Sequence, residues 1–66
     1  MKLYQQRVYA QHEELMKRRE KLEMFVQSIK FSILPREEQG RILHQSQIME
    51  QYANILGERI AAFPTD

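Results

Sequence analysis

Leu34-Pro35-Arg36-Glu37-Glu38 is the stretch on which the fold turns. Proline fixes φ near the helical value and lacks the N–H that a first helical turn leaves unpaired, so Pro35 suits the first position of a helix. Glu37 and Glu38 follow in that first turn, where the helix dipole favours negative charge. Outward from this boundary run two ladders with seven-residue steps. Val8, Leu15, Leu22 and Ile29 precede it; Ile42, Met49, Leu56 and Phe63 follow it. Seven residues make about two helical turns, so each ladder lines one face of a helix. Folding the chain back near Ser32 sets Leu22 against Ile42, Leu15 against Met49, Val8 against Leu56 and Met1 against Phe63. The expected fold is therefore all-α, a helical hairpin. It spans about residues 1–63, with a helix over about 3–27, a turn at about 28–34, a second helix over about 35–62 and a frayed tail at about 64–66.

The first helix presents Tyr4, Val8, Leu15, Leu22, Phe25, Val26 and Ile29 at helical spacing. Glu13–Lys17, Glu14–Arg18 and Arg19–Glu23 are i,i+4 pairs suited to an exposed face. Gln11 and Arg18 or Arg19 fall where a coiled coil would place apolar residues, so the seam is not a clean zipper. Ser28 can cap a short extra turn, Ile29-Lys30-Phe31, after which Phe31, Ile33 and Leu34 close the end of the core. Pro64 ends the second helix.

That second helix carries a broader apolar band. Tyr52, Ala53 and Ile60 flank its ladder on one side, Ile48 and Ile55 on the other. One partner helix cannot cover such a band, and the simplest further cover is a second copy. The expectation is a homodimer forming an antiparallel four-helix bundle. Its core would hold Val8, Leu15, Leu22, Ile42, Met49, Tyr52 and Leu56. Ala53, Gly57 and Ala61 form a small-residue row, which admits either close approach of another helix or plain exposure.

Sixty-six residues allow one domain and bury too little surface to be comfortable alone, which again favours oligomerisation. Absence of cysteine excludes disulfides and fits a reducing compartment. The apolar runs are far shorter than the roughly 20 residues of a membrane span, and the first residues contain no secretory apolar segment. A soluble protein of the cytoplasm is expected. Formal charge is +1, but basic residues dominate before the turn and acidic ones after it. Opposite signs on the two arms favour antiparallel pairing.

Chemistry-bearing clusters are few. Adjacent Glu13/Glu14 and Glu37/Glu38 diverge on a helix, whereas acid–base pairs need a shared cleft. No glycine-rich phosphate loop or serine nucleophile motif occurs. His12 and His44 stand in neither Glu-x-x-His nor His-x-x-x-His, the spacings that build metal sites in bundles. No catalytic site, metal or cofactor is expected, and both histidines are placed on flanks or surface. Lys17-Arg18-Arg19-Glu20-Lys21 could grip phosphate, or Arg18 or Arg19 a carboxylate. The four glutamates around it and the lack of basic excess make nucleic-acid binding the less favoured reading. Tyr9 and Met16 lie off the main stripe on the outer side of the first helix, as Leu43 does on the second. They are candidates for a partner-binding strip, with scattered surface residues as the alternative.

Tyr4-Gln5-Gln6-Arg7-Val8, Glu14-Leu15, Lys21-Leu22, Phe25, Leu34-Pro35-Arg36-Glu37-Glu38-Gln39, Gln45, Met49, Tyr52 and Leu56-Gly57-Glu58-Arg59-Ile60-Ala61-Ala62-Phe63 together resemble small phage and prophage helical-hairpin proteins. Relatives of that kind occur in the early-region (exo–xis) gene clusters of lambda-like temperate phages. The Lys17-Arg18-Arg19 run is more basic than that pattern. The resemblance implies no enzymatic role. It implies an accessory protein acting on host physiology, the lysis–lysogeny balance or host defence. The expected function is binding of a host or phage protein in the bacterial cytoplasm through Tyr9, Met16, Arg18 and Arg19. A nucleic-acid-binding regulator using the Lys17-Arg18-Arg19 face is one alternative; a sponge for small nucleotide signals at the dimer seam is another.

Overall fold

The computed structural model describes residues 2–64, and among them the chain forms three helices: α1 Leu3–Val26, α2 Ile29–Ser32 and α3 Arg36–Ala61. The long helices α1 and α3 pack antiparallel along their lengths into a rod of 51 × 15 × 14 Å. The expected all-α hairpin is what the chain adopts.

Local chemistry sets each boundary. Lys2 is the N-cap of α1, and its backbone N–H donates to the Gln5 side-chain oxygen at 3.0 Å. Gln5 is only 3% exposed. This bond accounts for a polar side chain in that position, since a buried carbonyl oxygen without a donor is costly. At the other end of α1, Ser28 does what its sequence context predicts. Its Oγ accepts from the Phe31 N–H at 3.3 Å and donates to the Phe25 carbonyl, capping α2. Gln39 reaches back from α3, its Nε2 donating to the carbonyls of Leu34 (2.9 Å) and Ser32 (3.2 Å). The reversal is thus tied to the helix that follows it.

Pro35 stands one position earlier than expected. With φ −55° and ψ 147° it is the N-cap of α3, and Arg36 is the first helical residue. Its carbonyl still accepts the Gln39 N–H at 3.0 Å, so the proline starts the helix from just outside it. At the far end Ala62 is the C-cap, its N–H donating to Glu58 and Arg59 carbonyls. Arg59 lies in this last turn, where the dipole favours a cation.

The register differs from the expected rungs by about one helical turn. Leu22 shares a depression with Gln45 and Met49, where Ile42 was expected, and Leu15 shares one with Tyr52, where Met49 was expected. His12 lies beside Gly57, and Phe63 packs edge-on to Tyr4 with ring centres 5.7 Å apart. The expected Met1–Phe63 rung involves a residue outside those described, as do Thr65 and Asp66 of the expected tail. These pairings place the fold-back point near Leu34. The short helix α2 lengthens the α1 arm, so the chain reverses later than Ser32.

Ile29 shows the same effect. Expected as the last rung of the first ladder, it is 82% exposed, because α1 has ended and α2 restarts the helical phase. Phe31 takes that place, buried and edge-on to Phe25 at 6.1 Å.

The seam itself is thin. Val8, Ala53 and Leu56 are buried in it; Leu15, Leu22, Ile42 and Met49 are half-buried. Tyr52, grouped with these residues in the sequence reading, stands outside the protomer's seam at 47% exposure.

Candidate interaction surface

Of the polar interruptions expected in the seam, Arg19 is found there and the others are not. Gln11 and Arg18 face outward, whereas Gln5, His12 and Arg19 step down the α1 face that meets α3. His12, expected on a flank or the surface, is half-buried, and a Cβ added at Gly57 would lie 3.9 Å from its Nε2. His44 is exposed on the outer surface of α3. Among the described residues, no group of three or more His, Cys, Asp or Glu comes together.

Arg19 was expected to face a partner. Its side chain is only 18% exposed, and its Nε is buried without a hydrogen-bond partner. Its terminal nitrogens reach Glu23 at 3.5 Å and the Met16 sulfur at 3.8 Å. An arginine so placed acts mainly as a seam residue, its aliphatic stem covering apolar surface.

The four expected contact residues do not form one patch. Met16 and Arg19 line a depression on one broad side of the hairpin, together with Glu13, Lys17, Glu20 and Glu23. Arg18 lies on the other broad side, beside Leu15 and Tyr52. Tyr9 is 43% exposed but is also tied into the open end of the hairpin, its ring 6.0 Å from that of Phe63. Met16 is 42% exposed, within reach of Arg19 alone among the contacts just described.

The basic run is largely neutralised in place. Lys17 pairs with Glu13 at 3.6 Å, Arg18 with Glu14 at 3.2 Å and Arg19 with Glu23 at 3.5 Å. All are i,i+4 pairs, and the first two lie in open solvent. Such pairs are worth little in stability. They do place a carboxylate against each of these three cations.

The side that carries Arg18 is the more apolar. Three shallow depressions run along it in succession: one between Gln11, Leu15 and Tyr52, one between Leu22, Phe25 and Met49, and an open groove along α3 at Arg41, His44 and Ile48. Adjacent ones share Arg18, then Gln45 and Met49. On α3, Ile48, Tyr52 and Ile55 remain about half exposed, forming a second apolar stripe beside the one in the seam. No helix among the described residues is long and apolar enough to cross a membrane.

Comparison with curated proteins and with solved structures gave no match. A family model does match: that of Sequestin, over residues 2–62, which takes in both long helices, the turn and the seam. The chain belongs to the Sequestin family.

Proposed function

We propose that this chain is a non-enzymatic sequestering protein that, as a homodimer, binds a host or phage protein through a rigid helical face and withholds it. The observation that carries this is the family itself, whose name denotes sequestration. The surface supports it. Tyr9 and Met16 stay exposed on continuous helix, so a partner would meet side chains already held in place. Together with the resemblance to early-region phage proteins, this points to a phage or prophage accessory protein. Its action would fall on host physiology, lysis–lysogeny development or defence, in the bacterial cytoplasm.

The test is capture of the tagged protein's partners from bacterial host lysate, with and without nuclease, followed by mass spectrometry. The expected result is one stoichiometric protein that survives nuclease and is lost from the Met16→Glu variant. Recovery of no stoichiometric protein would overturn the reading.

A second reading is favoured by the apolar side. Arg18 and Lys21 there adjoin Phe25, and Arg18 adjoins Tyr52. Cations beside aromatic rings suit a ligand that has both phosphate and base, so a small nucleotide signal could be the sequestered species. A thermal shift with cyclic nucleotides, absent in Arg18→Ala, would support it. A nucleic-acid regulator using the Lys17-Arg18-Arg19 face has less support, given the paired glutamates. It would show binding that falls steeply with salt.

A further inference from the structure

The hairpin has too much surface for its mass. A folded protein of 8.0 kDa would expose about 4,450 Å². This chain exposes 5473 Å². The excess, about 1,000 Å², is close to the roughly 800 Å² that each partner contributes to a standard stable interface. The protomer leaves uncovered about what one two-fold contact requires.

The uncovered apolar surface on α3 also has a definite pattern. Ile48, Tyr52 and Ile55 follow one another at steps of four and three. Continued at helical spacing, the same stripe reaches Arg41 and Glu37 towards one end and Arg59 towards the other. Glu37 lies in the first turn of α3 and Arg59 in its last. Glu37 and Arg59 are equally far from Ile48 in sequence, carry opposite charges, and have no ion pair within the protomer among the described residues.

A surface with that symmetry is complementary to itself. An isologous contact requires that when residue i meets residue j, j also meets i. We infer that a second copy of this chain seats on the Ile48–Tyr52–Ile55 stripe, α3 against antiparallel α3, with Ile48 at the two-fold axis. Ile48 then faces its own copy, Glu37 faces Arg59 of the other copy at both ends, and Arg41 lies along Ile55. This deepens the homodimer in the reading above by naming its face and register. It leaves the Tyr9 and Met16 side free.

The test needs only the purified chain, so capture of a partner can fail or succeed independently of it. The chain has no cysteine, and single-cysteine variants report cleanly. A disulfide forms only when the two Cα atoms lie within about 4.4–6.8 Å, which a residue on the axis can satisfy. The expected result is a sedimenting dimer, nearly complete cross-linking of Ile48→Cys under mild oxidation, and none of Met16→Cys. Because Ile48 is half exposed in the protomer, its replacement should leave the hairpin folded, which circular dichroism checks. Glu37→Arg and Arg59→Glu should each weaken the dimer several-fold, and an equimolar mixture of the two should restore it. A monomer throughout the micromolar range would overturn the inference. So would a dimer in which Met16→Cys cross-links and Ile48→Cys does not, or a charge-swapped mixture no tighter than its components.

Discussion

Gly57→Ala should stabilise this protein, although Gly57 lies in the seam. Glycine inside a helix costs about 1 kcal/mol relative to alanine, because it has more backbone freedom to lose on folding. Against that gain stands whatever the new methyl group would strike. The nearest atom beyond the local helix is the His12 Nε2, 3.9 Å from the added Cβ, an ordinary van der Waals distance. No contact is tight enough to cancel the propensity gain. Gly40, also within α3, has nothing within 4 Å of its added Cβ and supplies the intrinsic value for this helix. Both variants should gain about 0.8–1 kcal/mol, or roughly 4–8 °C in Tm for a domain of this size. The assay is thermal and urea unfolding followed by circular dichroism, at one fixed protein concentration. Stabilisation by Gly40→Ala combined with a loss of 1 kcal/mol or more in Gly57→Ala would refute the reasoning. It would show that α1, or another helix, approaches Gly57 more closely than His12 does here.

Leu56→Ala should be the most damaging truncation. Leu56 is fully buried, and such changes cost about 2–5 kcal/mol; a loss below about 1 kcal/mol in urea unfolding would mean that the seam closes over the gap. Ser28→Ala removes the acceptor for the Phe31 N–H and should cost about 1 kcal/mol, with exchange of that amide accelerating in hydrogen-exchange NMR. Arg19→Met keeps the stem and removes a buried Nε without a partner, so stability should hold or rise; a loss of more than about 1 kcal/mol would mean the Glu23 contact matters more than its geometry suggests. Met49→Asp places a carboxylate in the seam and should abolish the cooperative melt; a dimer still unfolding cooperatively would count against the architecture.

The hairpin was legible because its strongest signals are local and periodic. Pro35-Arg36-Glu37-Glu38 marks a helix start whatever surrounds it, and seven-residue steps of Val8, Leu15 and Leu22 require a helical face. Ser28 as a cap was readable for the same reason. Register was not, because it depends on how far the turn carries the chain before α3 begins. The extra turn expected at Ile29–Phe31 forms as α2, but in a helical phase of its own, so the chain reverses nearer Leu34 than Ser32 and Ile29 goes into solvent. Two polar members of the seam, Gln5 and His12, were missed for a different reason. With Arg19 they also step by seven, but polar residues at that spacing usually mark a solvated face. Only the packing shows which polar ladder is inside. For the same reason Arg19 looked like a contact residue, whereas the separation of Arg18 from Met16 onto opposite sides follows from helix geometry, since residues two apart do not share a face.

The polar ladder in turn accounts for the small residues facing it. Gln5, His12 and Arg19 are long or bulky, and the α3 seam includes Ser46, Ala53 and Gly57, which leave room for them. Ala53 is buried and Gly57 half-buried, while Ala61 is exposed, so the seam uses only part of the small-residue row. This large-against-small match specifies which helices pair. Two copies of α1 meeting through that face would set bulky polar residues, Gln5, His12 and Arg19, against one another, and two copies of α3 would leave voids between small residues. Within the seam, therefore, α1 selects α3. What α3 has left over is its second stripe, Ile48, Tyr52 and Ile55, which α1 leaves about half exposed. The seam that excludes self-pairing on one face of α3 thereby confines it to the other. A second copy meeting that stripe adds to the hairpin without competing with it.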